Sequence, residues 1–169
     1  MSSSDTQHAF VERLDRHRGI LLKVARAYCR NSSDREDLVQ EIIGELWRSY
    51  ERFAERSSFS TWMYRIALNV AISFCRRDVR AHRRAAPVDG SILERTCVFE
   101  DPRADDRVDR LHELIDNLDS LNRALMLLYL DDYPYAEIAA ILGISETNVA
   151  TKIARIKTSF KRTLVANGE

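Results

Sequence analysis

Residues 135–156 read Tyr135-Ala136-Glu137-Ile138-Ala139-Ala140-Ile141-Leu142-Gly143-Ile144-Ser145-Glu146-Thr147-Asn148-Val149-Ala150-Thr151-Lys152-Ile153-Ala154-Arg155-Ile156. The first eight form a short helix that Gly143 ends, because glycine adopts the left-handed conformation a tight helix-to-helix turn demands. Ser145 caps a second helix that carries Val149, Ile153 and Ile156 inward. Ala139 is small enough to let the two helices cross closely, and Ile138, Leu142, Ile144 and Val149 fill the angle between them. This is the order of a helix-turn-helix, whose second helix enters the major groove. Its outward face carries Asn148, Thr151, Lys152 and Arg155, followed by Lys157, Lys161 and Arg162. Side chains of these types reach base edges and phosphates. A plain two-helix corner with a solvated basic face shares part of the pattern. The glycine, cap, small residue and basic face in this order favour DNA.

Upstream, helical periodicity runs from Phe10 to Arg77. Phe10, Leu14, Leu21, Val24, Ala25 and Tyr28 make one apolar stripe, which Asn31-Ser32-Ser33 interrupts. A second helix opens at Asp34, with acids in its first turn where the macrodipole favours them. It sets Leu38, Val39, Ile42, Ile43, Leu46 and Tyr50 on one side. A third begins near Ser60, a candidate N-cap, with Trp62, Met63, Ile66, Ala67, Val70 and Phe74 inward. Periodicity fails between about Val79 and Arg107, where Pro87, Asp89-Gly90 and Pro102 fall among many charges. It resumes with Val108, Leu111, Leu114, Ile115, Leu118 and Leu121. The expected fold is all-α: a helical bundle over residues 1–80, an acidic flexible linker over 81–107 and a second bundle over 108–169.

Charge is segregated along this frame. The chain has 26 basic and 26 acidic residues. Residues 34–50 carry five acids and two bases, and residues 52–84 carry eight bases and two acids. Residues 85–119 carry ten acids and four bases, and residues 143–164 carry five bases and one acid. The zero average therefore conceals two basic segments. Asp37, Glu41, Glu45 and Arg48 recur at three- and four-residue steps, which suits either a solvated face or a docking face for a basic partner. In the basic segment, Phe53, Phe59, Trp62 and Tyr64 bracket the polar loop Glu55-Arg56-Ser57-Ser58, and Arg65, Asn69, Ser73 and Arg76 step along one helical face. Aromatics that stack unpaired bases and cations that track the backbone suit single-stranded DNA, and a Ser-rich loop suits an extruded base. The same aromatics also suit a core.

Together these stretches resemble a known family. Asp34-Arg35-Glu36-Asp37-Leu38-Val39-Gln40-Glu41, then Trp47, then Phe59-Ser60-Thr61-Trp62-Met63-Tyr64-Arg65-Ile66-Ala67-Leu68-Asn69 is similar to region 2 of the extracytoplasmic-function sigma factors. Leu118 to Leu164 resembles their region 4. The resemblance implies a protein that directs core RNA polymerase to promoters. It implies docking on the polymerase clamp coiled coil through Asp34, Asp37, Gln40, Glu41 and Glu45. It implies capture of the −10 element by Phe53, Ser57, Ser58, Phe59, Trp62, Arg65, Asn69 and Arg76. It implies reading of the −35 element by Ser145, Asn148, Thr151, Lys152, Arg155 and Lys157, with region 4 on the polymerase flap. The linker would follow the polymerase channels between the two domains. Family members are commonly held inactive by an anti-sigma protein, a further partner class. Ala150 and Ala154 stand where relatives often carry larger residues, which implies fewer base contacts, and Ile72-Ser73-Phe74-Cys75 is more apolar than is usual there.

Other classes fit less well. A stand-alone helix-turn-helix regulator would need a dimer interface or a receiver domain, and the first 78 residues offer neither a phosphate-accepting Asp at a strand end nor a strand. There is no glycine-rich phosphate loop or nucleophile motif, so no catalytic residue is expected. Cys29, Cys75 and Cys97 form no C-x-x-C pair and no ligand spacing with His8, His17, His82 or His112, so neither metal nor cofactor is expected. No apolar run approaches the roughly 20 residues of a membrane span. The polar start, Met1 to Thr6, lacks the features of a signal peptide, which leaves the cytoplasm as the expected compartment.

Overall fold

The computed structural model describes residues 3–53, 55–85 and 106–166, all of whose regular structure is helical. Two compact units divide the chain, the first ending at Arg95 and the second beginning at Thr96. The first holds α1 (Ser3–Arg16), α2 (Arg18–Tyr28), α3 (Ser32–Tyr50) and α4 (Phe59–Ala85); the second holds α5 (Asp106–Asp116), α6 (Ser120–Leu130), α7 (Tyr135–Leu142) and α8 (Glu146–Ala166). Most of the expected linker, residues 86–105, lies outside the described residues.

In the first unit α2, α3 and α4 pack on one another around Val24, Leu38, Ile42, Leu46, Met63, Tyr64 and Leu68, each at most 1% exposed. Burying such side chains contributes about 1.5–3 kcal/mol apiece. Asn31 caps α3, its side-chain oxygen accepting the Asp34 N–H at 2.7 Å. Arg35 closes the preceding helix end by donating to the carbonyls of Cys29 at 3.0 Å and Arg30 at 2.7 Å.

Four details depart from the sequence reading. The stripe from Phe10 to Tyr28 belongs to two helices, separated at His17 (φ −112°, ψ 12°), whose Nδ1 lies 2.9 Å from the Arg13 carbonyl. The stripe keeps its phase across that break, so periodicity could not reveal it. The cap of α4 is Ser58, whose Oγ accepts the Thr61 N–H at 3.1 Å, and not Ser60. The face α4 buries is turned by about one residue: Met63, Tyr64, Ala67, Leu68 and Ala71 are inside, while Trp62, Ile66, Val70 and Phe74 are half-buried. Ala67 and Ala71 let the neighbouring helices approach closely, and that turns the helix. Finally, α4 continues through Ala85, because its last turns are rich in Arg and Ala, which favour helix without an apolar stripe.

In the second unit α6, α7 and α8 surround Leu125, Leu128, Ile138, Val149 and Ile153. Asp119 caps α6 by accepting the N–H groups of Leu121 and Asn122 at 3.1 and 3.0 Å. Arg123 reaches back to the carbonyls of Asp116 at 2.6 Å and Leu118 at 3.1 Å, joining α6 to the end of α5.

Candidate nucleic-acid interface

Gly143 has φ +68° and ψ 33°, the left-handed cap expected between α7 and α8. Its N–H and that of Ile144 both return to the Ala139 carbonyl, at 2.9 and 3.2 Å. Ser145 Oγ accepts the Asn148 N–H at 3.2 Å, so the second helix starts where the sequence placed its cap. Asn148, Thr151 and Arg155 are exposed on α8 and Lys152 is half-buried beside them. Thr151 spends its hydroxyl on the Thr147 carbonyl at 2.9 Å. Lys157 is exposed but turned aside: its Nζ donates to the Tyr129 hydroxyl at 3.1 Å and lies 5.3 Å from that ring centroid. The hydrogen bond to Tyr129 raises the Lys157 pKa, so this cation is held against α6.

The aromatics of the first unit come together as one cluster. Phe53 lies 4.8 Å from Trp62 and 5.8 Å from Phe59, and Phe59 lies 5.3 Å from Trp62, centroid to centroid. Tyr50 joins them at 6.3 Å from Trp62 and reaches Phe10 at 5.0 Å. All are half-buried except Phe10, which is buried, so the rings flank the loop at residues 55–58 and stay partly exposed. Ser57 is exposed; Ser58 is committed to the helix cap and to the hydroxyls of Ser60 and Thr61. Arg65, Asn69 and Arg76 are exposed on α4, with no hydrogen bond or ion pair among the described residues.

On α3 the acidic residues divide into tied and open groups. Asp34 accepts from Asn31 Nδ2 at 2.6 Å. Glu45 pairs with Arg48 at 2.6 Å, and Glu41 takes Arg77 of α4 through both oxygens at 2.6 and 2.7 Å. Asp37 and Gln40 are exposed and open to a partner. Beside them an apolar groove between α1 and α3 is lined by Phe10, Val11, Ile43, Gly44 and Trp47, with Trp47 41% exposed. Trp47, Ile43 and Val11 are site candidates that the charge pattern alone did not single out; an exposed tryptophan is their signal.

Two family models match: Sigma-70 region 2 over residues 14–81 and Sigma-70, region 4 over residues 109–159. The chain belongs to the sigma-70 family, in its extracytoplasmic-function branch. It is 25% identical over 168 residues to the ECF RNA polymerase sigma factor SigW of Bacillus subtilis, spanning 94% of this chain and 90% of the relative. It is 27% identical over 159 residues to the ECF RNA polymerase sigma factor SigM of Mycobacterium tuberculosis, spanning 94% of this chain and 78% of that one. Among solved structures the fold is that of CnrH in complex with the cytosolic domain of CnrY, with TM-score 0.68 and 24% identity over 96% of this chain and 91% of that one. It is also that of the sigma factor RpoE bound to the anti-sigma factor NepR from Bartonella quintana, with TM-score 0.70 and 19% identity over 95% and 96%. The first match encloses α3, the aromatic loop and most of α4; the second encloses the helix-turn-helix. The chain is an RNA polymerase sigma factor, whose region 2 and region 4 serve core polymerase and promoter DNA, and a stand-alone regulator is not favoured.

Proposed function

We propose how the described surfaces divide that work. The docking face for core polymerase is the groove of Val11, Ile43 and Trp47 with its rim of the acidic Asp34, Asp37, Glu41 and Glu45 and the neutral Gln40. An apolar centre within a charged rim is the common anatomy of an interface, and the rim charge steers a basic coiled coil onto it. The −10 strand runs along Arg65, Asn69 and Arg76 and meets the loop braced by Phe53, Phe59 and Trp62, where Ser57 offers its hydroxyl to a turned-out base and Ser58 holds the helix start beside it. The −35 duplex takes α8, with Asn148, Lys152 and Arg155 as readers. Ser145 and Thr151 sit at its edge, and Lys157 acts on the backbone from its place beside Tyr129.

The observation that carries this reading is the capped turn at Gly143 and Ser145, which presents a polar, basic helix from an otherwise apolar corner. The two modules are joined by the acidic segment between α4 and α5, whose like charge discourages binding to stray DNA. Strand opening draws on binding energy, so the chain performs no catalysis and uses no cofactor, and its compartment is the cytoplasm. Among the described residues no helix is long and apolar enough to cross a membrane. An anti-sigma protein is a further partner class, since one solved neighbour is bound to one.

The test is co-elution of the full chain with bacterial core RNA polymerase, followed by promoter-fragment binding with and without core enzyme. A stoichiometric complex that gains DNA affinity on assembly is expected. DNA binding of equal strength without polymerase would refute the reading.

A further inference from the structure

Arg13, in the last turn of α1, sits one residue before the family match begins, yet it reaches across 42 residues to the aromatic loop. Its Nη2 donates to Glu55 Oε1 at 2.8 Å. Glu55 has φ +51°, a left-handed conformation that a residue with a side chain adopts rarely and that needs support from its surroundings. The same guanidinium lies 6.0 Å from the Phe59 ring centroid, and the His17 ring lies 5.3 Å from it. The Arg13 carbonyl faces His17 Nδ1 at 2.9 Å, so both residues share one anchored helix end. The end of α1 thus grips the loop on two sides, by a charge at Glu55 and by two flat groups at Phe59.

We propose that Arg13 is a positioning residue for base capture: through Glu55 it fixes the loop at residues 55–58 in the shape that receives the turned-out −10 base. The inference rests on the reading of that loop given above. A loop that must present hydroxyls and an aromatic edge to one base gains discrimination when its shape is set beforehand, because less ordering is left to occur on binding. The Arg13 and Glu55 side chains are both exposed, so each contact is modest and the effect falls on selectivity more than on folding.

The experiment uses the full chain assembled with bacterial core RNA polymerase. The probe is a pool of single-stranded oligonucleotides with a randomised six-base window, sequenced before and after capture. Wild type should enrich one base strongly at the position served by the loop, and Ser57→Trp should erase that preference. Arg13→Ala should lower the preference at the same position by about two- to fivefold, the range of an exposed ion pair, and leave the other positions as they were. Arg13→Lys should retain part of it, and the reversed pair Arg13→Glu with Glu55→Arg should restore it. If Ser57→Trp moves one position and Arg13→Ala moves none, or all equally, the positioning role is wrong and the loop reading stands. If Ser57→Trp moves nothing, the loop reading fails and the role of Arg13 falls with it.

Discussion

Replacing Gly143 by alanine isolates a single physical quantity. A Cβ built there meets nothing within 4 Å, so the substitution adds no clash, and its cost is conformational alone. At φ +68° an L-residue is disfavoured by roughly 1–2 kcal/mol relative to the right-handed region. Alanine also narrows the unfolded ensemble, which offsets roughly 0.4–1 kcal/mol of that. The expected net loss is about 1 kcal/mol, close to a fivefold rise in local opening. Hydrogen exchange of the full chain, followed in peptides covering residues 135–156, reads it directly. Trp47 and Trp62 lie in the other unit, and their fluorescence transition should stay where it is. Gly143→Asn should cost less than Gly143→Ala, since asparagine tolerates the left-handed region. Unchanged exchange in Gly143→Ala would refute the argument that this cap sets the turn. A loss above about 3 kcal/mol would mean the site is crowded and the cost steric.

Asp37→Lys combined with Glu41→Lys should abolish co-elution with core polymerase while circular dichroism keeps its helical signal; the broken Glu41–Arg77 ion pair is exposed and costs up to about 1 kcal/mol. Lys152→Ala and Arg155→Ala should each weaken binding of the assembled enzyme to promoter duplex by about 1–3 kcal/mol for every base edge the side chain reads, measured by anisotropy. Lys157→Ala should cost less in the same assay, because its ammonium rests on Tyr129. Met63→Ala, at a fully buried position, should destabilise region 2 by about 2–5 kcal/mol in urea, read by tryptophan fluorescence.

The helix-turn-helix was legible because all its determinants are local: the glycine, the cap and the apolar residues that meet lie in one short stretch from Ile138 to Ile153. Region 2 was legible in outline and less so in rotation. Along α4, apolar residues occupy two adjacent stripes, Trp62-Ile66-Val70-Phe74 and Met63-Ala67-Ala71 with Tyr64 and Leu68. Periodicity cannot choose between neighbouring stripes when both are apolar. The small side chains of Ala67 and Ala71 decided it, by allowing α2 and α3 to come close, and the larger rings were left to build the cluster under the loop. The ion pairs that frame the candidate sites were not legible at all. Arg13 meets Glu55 across 42 residues and Arg77 meets Glu41 across 36, so neither exists until the bundle has formed.

On the division of surfaces proposed above, region 2 faces a physical problem of its own, since it offers an acidic surface to one partner and a basic surface to another from helices packed side by side. Neighbouring faces of opposite charge would neutralise each other if they met broadly. Successive positions on a helix diverge by about 100°, and that divergence separates the roles. Arg76 points out along the row of Arg65 and Asn69, while Arg77, one step round, turns to Glu41. On α3, Glu45 is held by Arg48 of its own helix, and Asp37 and Gln40 remain open. The Glu41–Arg77 pair therefore lies at the seam of the two helices, part of the acidic rim on one side, and the outer charges of each helix stay available. A chain with zero formal net charge can on these terms bind a basic protein surface and a nucleic-acid strand at once. Joining the two modules on one polymerase makes the second binding event intramolecular, where the effective concentration supplies affinity that no single contact in region 2 or region 4 has to provide.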